Sequence, residues 1–226
     1  MSAFEFMPPL AFTLAKEAMP DLPIPIAPDY PAYVLMEISG SGLVDIDDLM
    51  SRFLEAVMEE GMVLDGTIAA SQTQARNLWL IREGMKEDQA KRGMHLRTDV
   101  SVKLSQLASF VADAEKAVED ALPETVCVSY GHVGDGNVHL NVLPAADAAS
   151  VERIEQIYKA KGVINGGLDR YQGSISAEHG TGRLKRDDFE TRLSPVRRQL
   201  LTAIKQAIDP DLMMNPGCQL KFHQDS

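Results

Sequence analysis

Two strand-like segments, 125–132 and 138–143, are separated by little more than Gly134-Asp135-Gly136, which leaves no room for a helix between them. The glycines and aspartate mark a tight turn or bulge. Two neighbouring strands joined this way point to an α+β fold rather than a doubly wound parallel sheet. The rest of the chain alternates more regularly. Residues 33–38 read as a strand, stopped by Ser39-Gly40-Ser41-Gly42. Asp45 is a suitable N-cap for a helix whose apolar stripe is Leu49, Phe53, Leu54 and Val57, closed by Gly61. A second strand is expected over 63–69. Ser71 with Gln74 forms a capping-box pattern at the start of a helix running to about Ala90.

A third strand is expected over 97–104, followed by a helix capped by Ser105 that ends before Pro123. Beyond the strand pair come a long helix over 148–170, a short strand over 174–177 and a helix over 195–208 stopped by Asp209-Pro210. At the N-terminus, 4–14 is expected to be a short helix. Five prolines between 20 and 31 then make an ordered connector. The order β-α-β-α-β-α-β-β-α-β-α suits ferredoxin-like halves sharing a largely antiparallel sheet with helices packed on it. The whole of 1–226 is read as one domain, with a C-terminal helical tail from about 190.

Composition excludes several partners. The 226 residues carry a formal net charge of −11, which argues against nucleic-acid binding. The N-terminus lacks a signal-peptide pattern, and no apolar run approaches membrane-spanning length. Cys127 and Cys218 are too few for a disulfide framework or a cysteine zinc site and fit a reducing compartment, so a cytoplasmic location is expected.

Three of the five histidines fall in two glycine-flanked segments. The first is Gly131-His132-Val133-Gly134-Asp135-Gly136-Asn137-Val138-His139-Leu140-Asn141-Val142; the second is Ser176-Ala177-Glu178-His179-Gly180-Thr181-Gly182. Imidazoles with a carboxylate suit zinc or a similar divalent ion. His132 and His139 are seven residues apart, so on one regular strand they would face opposite sides. They converge only if the glycine turn changes that parity. The same residues equally suit hydrogen-bonded core histidines beside an ordinary hairpin turn. Gly131, Gly134 and Gly136 do not follow the dinucleotide-binding pattern, and Gly180-Thr181-Gly182-Arg183-Leu184-Lys185 is not a P-loop.

The two histidine segments, followed by Asn215-Pro216-Gly217, resemble the C-terminal region of FAD-linked oxidases. That family includes D-2-hydroxyglutarate dehydrogenase, flavin-type D-lactate dehydrogenases and the glycolate oxidase flavoprotein subunit. In it, this region caps a separate N-terminal flavin-binding domain, which is expected to be absent from these residues. The resemblance implies that His132, His139 and Glu178 bind a divalent metal, with zinc the expected ion. It implies that His179 is the general base and that Asn141 hydrogen-bonds the substrate. Arg82 would grip the substrate carboxylate, Arg97 would stand where relatives often have lysine, and Asn215 would lie close to the FAD. Lys86, Lys103 and Cys218 depart from the family pattern, and Lys86 weakens the case for hydroxyglutarate itself.

The implied activity is oxidation of a D-2-hydroxy acid to a 2-oxo acid with hydride transfer to FAD. The implied partners are the small hydroxy acid, the missing flavin-binding domain and an electron acceptor, with a homodimer allowed. A stand-alone small-molecule or metal-binding module and a zinc hydrolase are the competing readings. Arg183, Lys185 and Arg186 are expected to be solvated, and His95 and His223 to be structural or exposed.

Overall fold

The computed structural model describes residues 1–222; His223 lies outside the described residues. Five strands form one sheet in the order β2-β1-β4-β5-β3, and every pairing between them is antiparallel. The strands are β1 (Ala3–Met7), β2 (Tyr33–Glu37), β3 (Val100–Ser101), β4 (Val126–His132) and β5 (Asn137–Leu143). Seven helices accompany them: α1 (Leu10–Ala18), α2 (Ile46–Glu59), α3 (Gln72–Lys91), α4 (Leu107–Ala121), α5 (Ser150–Tyr171), α6 (Arg186–Arg192) and α7 (Pro195–Ile208). The α+β class read from the strand pair is what the chain adopts.

Strand alternation divides the core into two layers. Val138, Leu140 and Val142 of β5 pack with Phe110, Ala114 and Val118 of α4 and with Ile164 and Leu168 of α5. On the other face, Val128, Tyr130 and Leu143 pack with Met7, with Ala11, Leu14 and Ala15 of α1, and with Ile81 and Met85 of α3. The candidate site lies on this second face.

Several local expectations hold in detail. Asp45 caps α2 by accepting from the amides of Asp47 and Asp48. The Ser71 hydroxyl accepts from the Gln74 amide as the capping pattern requires, while the Gln74 side chain reaches one residue further back and accepts from the Ala70 amide.

Other expectations are corrected. Residues 3–7 are a strand, not the beginning of a helix. Pro8 forces the residue before it toward extended backbone, and the helix starts only after Pro9. No ladder forms over 63–69 among the described residues, where Leu64 and Ile68 are exposed. Ser105 does not cap α4; a single 3-10 turn, Leu104–Gln106, leads into it instead. The strand expected over 174–177 shrinks to a bridge between Ser174 and Ser101. Helix α6 was not foreseen, because its sequence carries charges but no apolar stripe.

The strand expected over 97–104 keeps only β3 and a bridge between Leu96 and Val142. Between them a side chain replaces the backbone ladder. The Thr98 hydroxyl accepts from the Leu140 amide and donates to the Leu140 carbonyl, and the Thr98 amide donates to Asn141 Oδ1. The Thr98 carbonyl is thereby left over for another partner.

Helices α2 and α7 contain no buried residue. On α7 Val196, Leu200, Ile204 and Ile208 recur at four-residue spacing, and all four are exposed. No helix among the described residues is long and apolar enough to cross a membrane.

The β4–β5 connection depends on Gly136, whose φ is 72° and where an added Cβ would lie 2.4 Å from the Val102 carbonyl oxygen. Gly136→Ala is therefore expected to destabilise the chain by about 3 kcal/mol or more, combining left-handed strain with a backbone clash. A urea unfolding midpoint matching wild type would show that this turn is not constrained as described.

Candidate metal and substrate site

Three cross-strand pairs build the floor of the site. Glu5 stands opposite His132, Tyr130 opposite His139, and Val128 opposite Asn141. Opposed residues in an antiparallel ladder project to the same face, so all six side chains share one side of the sheet. The spacing of seven that would separate the histidines on one strand unites them across the hairpin. Their ring centroids are 5.8 Å apart.

Each imidazole is held through Nδ1. His132 Nδ1 is 2.5 Å from Glu5 Oε1, and His139 Nδ1 is 3.1 Å from the carbonyl that Thr98 withholds from the ladder. A proton on each Nδ1 satisfies both contacts and leaves each Nε2 with a free lone pair. Both Nε2 atoms lie 3.7 Å from Glu178 Oε1. Ligands about 2.1 Å from a tetrahedral zinc ion would stand roughly 3.4 Å apart, so the three atoms need to move little to hold a divalent ion. Burial, against an opposing contribution from the Thr98 carbonyl, holds His139 below its usual pKa and favours the neutral ring that a metal requires.

Behind His132, Glu5 Oε2 accepts from Arg82 Nε at 3.0 Å in a pair buried on both sides. The Arg82 guanidinium sits 4.6 Å from the centre of the Tyr130 ring. A carboxylate–histidine arrangement of this kind fixes ring orientation and raises ligand basicity.

Asp99, His139 and His179 form a second group whose donor atoms lie within 4.8 Å of one another. Asp99 is less available than Glu178, since its oxygens already accept from the amides of Glu178 and His179. Burial opposes the charge on Asp99, but these amides and the Lys185 ammonium outweigh it and lower its pKa.

His179 is 61% exposed, stacks on His139 with centroids 5.5 Å apart, and places Nε2 3.5 Å from Glu178 Oε1. It borders a cleft of about 240 Å³ that His139, Asn141, Glu178, Arg97 and Lys86 also line. Neither Lys86 nor Arg97 has an acidic partner among the described residues, although Arg97 Nε donates to His95 Nε2 at 3.1 Å. His95, expected to be merely structural or exposed, is thus a wall of the cleft and the support of Arg97.

The structure gathers His132, His139, Glu178, His179, Arg97 and Asn141. The Asn141 amide is already engaged, accepting from the Thr98 amide and donating to Gln89 Oε1 and the Tyr130 hydroxyl. Arg82 is buried with Glu5 and does not line the cleft. Asn215 is exposed, with a φ of 48°, in a turn where its carbonyl accepts from the Cys218 amide; it is not among the cleft residues. Sequence reasoning missed Glu5, Thr98, Asp99, Gln89 and Tyr130. Only Asp99 left a signal, as an acid closing the Arg97-Thr98-Asp99 segment; Glu5, Thr98 and Gln89 act through partners far away in the chain, and Tyr130 through its neighbour across the hairpin.

The chain as a whole is similar to known proteins. Residues 1–218 match the family model described as FAD linked oxidases, C-terminal domain. D-2-hydroxyglutarate dehydrogenase of Xanthomonas citri pv. viticola is 35% identical over 225 residues, covering 99% of this chain and 46% of that protein. The probable mitochondrial D-2-hydroxyglutarate dehydrogenase of Oryza sativa subsp. indica is 37% identical, covering 96% of this chain and 37% of that protein. The mitochondrial enzyme of that name from Bos taurus is 33% identical, covering 99% and 39%. The chain thus spans less than half the length of these curated relatives. It belongs to the family of FAD-linked oxidase C-terminal domains.

Proposed function

We propose that this chain is the substrate- and metal-binding part of a flavin-dependent D-2-hydroxy-acid dehydrogenase. The observation that carries the reading is the convergence of two oriented imidazoles and Glu178 beside the exposed His179, in a cleft that also holds two cations without acidic partners among the described residues. His132, His139 and Glu178 would hold the ion, and zinc suits their donor types. When bound, the divalent ion would supply positive charge beside the C2 oxygen, and the flavin of a companion domain would accept the hydride.

The chain's own residues perform the remaining work. Lys86 and Arg97 hold the substrate carboxylate, Arg97 with a planar fork suited to both oxygens. His179, open to the cleft, accepts the proton of the C2 hydroxyl. The C2 hydrogen leaves with its electron pair, and the product is a 2-oxo acid. For Arg82, the buried pairing with Glu5 supports holding His132 in place of a direct grip on the substrate. A hydrogen bond from Asn141 to substrate would displace one of its three present partners. The family match does not favour the hydrolase or the stand-alone binding module.

The relatives are more than twice as long as the span they share with this chain. The exposed stripe on α7 supports docking on a flavin-binding part, since an apolar face of this kind marks an interface. The free thiols of Cys127 and Cys218 support a reducing compartment, here read as the cytoplasm.

Purified wild-type chain is expected to bind one zinc ion, measured by elemental analysis and competition titration. His132→Ala, His139→Ala and Glu178→Ala should each weaken it by more than the ~10–100-fold typical of losing an outer partner. Retention of wild-type affinity in all three would discard the ligand set. In a protein joined to its flavin-binding part, His179→Ala should slow flavin reduction by roughly 10²–10⁴-fold while keeping the metal. Near-normal reduction would remove the base assignment. Leu200→Asp with Ile204→Asp should abolish association with the flavin-binding part in ultracentrifugation and leave zinc affinity intact. Unchanged association would move that interface elsewhere.

A further inference from the structure

We infer that Asp99 is the positioning residue that sets Glu178 and His179 relative to His139. The inference rests on Glu178 acting as a metal ligand and His179 as a base, and it adds the element that holds both in place. Residues 176–180 belong to no helix or strand, so their shape must come from specific contacts. Asp99 supplies a run of them. Its backbone carbonyl accepts from the Ala177 amide at 3.1 Å. Its Oδ2 accepts from the Glu178 amide at 3.2 Å and the His179 amide at 2.8 Å. One residue therefore receives three successive backbone amides, and its carboxylate takes two of them as a small anion-binding nest.

Two side chains close the arrangement. Ser176 Oγ lies 3.1 Å from Asp99 Oδ2. Lys185 Nζ donates to Ser176 Oγ at 3.3 Å and stands 3.6 Å from Asp99 Oδ2. The Asp99 side chain is 1% exposed, so it has little water to fall back on. A buried carboxylate without donors is costly, and the loop is the source of its donors. The preceding residue, Thr98, holds His139 Nδ1. Two adjacent residues thus index a ligand on β5 and the ligand and base on the loop to the same stretch of backbone.

Asparagine at this position would keep the shape but not the chemistry. An amide keeps one acceptor oxygen but not the negative charge, and its NH₂ group would stand against the Glu178 N–H, which here also lies 3.3 Å from Asp99 Oδ1. The test compares Asp99→Asn with wild type and with Leu168→Ala, a core truncation on the opposite face of the sheet. Two readouts are taken on the full chain: amide hydrogen exchange by NMR and zinc affinity by competition titration.

In Asp99→Asn, exchange at residues 177–179 should accelerate by ~10-fold or more while α4 and α5 stay protected. Zinc affinity should fall roughly 10–100-fold. Leu168→Ala should lower the unfolding midpoint yet hold zinc affinity within about 2-fold of wild type, as expected for separated sites. Unchanged exchange at 177–179, unchanged zinc affinity in Asp99→Asn, or an equal loss of affinity in Leu168→Ala would overturn the positioning role. Wild-type chain that binds no zinc would instead refute the metal reading, and the exchange measurement would still decide whether Asp99 holds the loop.

Discussion

The pairing of β4 with β5, with β1 laid against β4, is the constraint on which the rest of the site depends. Its register sets His139 opposite Tyr130 and His132 opposite Glu5, and so decides which side chains face α1 and α3. Side-chain direction has a period of two along a strand, so a slip of β5 by one residue would turn His139 toward α4 and α5 and away from His132. It would also bring Val138, Leu140 and Val142 out of their apolar layer. The same register is therefore specified twice, once by burial and once by the polar pairs. The turn between the strands supports it, because Gly136 occupies a conformation and a space that a side chain would not fit.

A second feature is the use of side chains where backbone would be expected. The Thr98 hydroxyl takes ladder positions opposite Leu140, which frees the Thr98 carbonyl to orient His139. Glu5 serves two partners at once, His132 through one oxygen and Arg82 through the other. Burying a charge pair costs solvation on both groups and contributes to a site mainly by fixing geometry. Here the geometry fixed is that of a histidine whose Nε2 must point at Glu178. Among the described residues Lys86 and Arg97 lie at the cleft without acidic partners, in a chain of net charge −11, so positive charge is kept where an anionic ligand would enter.

The layout also separates two tasks. The polar centre is carried by the sheet and the 176–180 loop, where His132, His139 and the loop backbone each have a support behind them. The α7 face has apolar residues at regular spacing and no buried position, which is the property of a surface that packs against something else. A histidine-lined floor on the sheet, with an exposed apolar helix face set apart from it, suits the proposed sharing of chemistry between this fold and a companion domain.

Local signals in the sequence determined much of this. The short glycine turn required neighbouring strands, Asp45 and Ser71 marked helix starts, and Pro195 with Asp209-Pro210 bounded α7. The clustered histidines and Glu178 marked the site. These are short-range effects of backbone sterics, capping and periodicity, and they act wherever the residues occur. Tertiary structure alone decided that His132 and His139 share a face, because their separation reads one way on a strand and the other way across a hairpin. It alone recruited Glu5 and Arg82, which stand 77 positions apart in the chain. It buried Arg82, occupied Asn141 and left Asn215 outside the cleft. Those outcomes depend on which strands become neighbours and in what register, and no local preference of the residues involved carries that information.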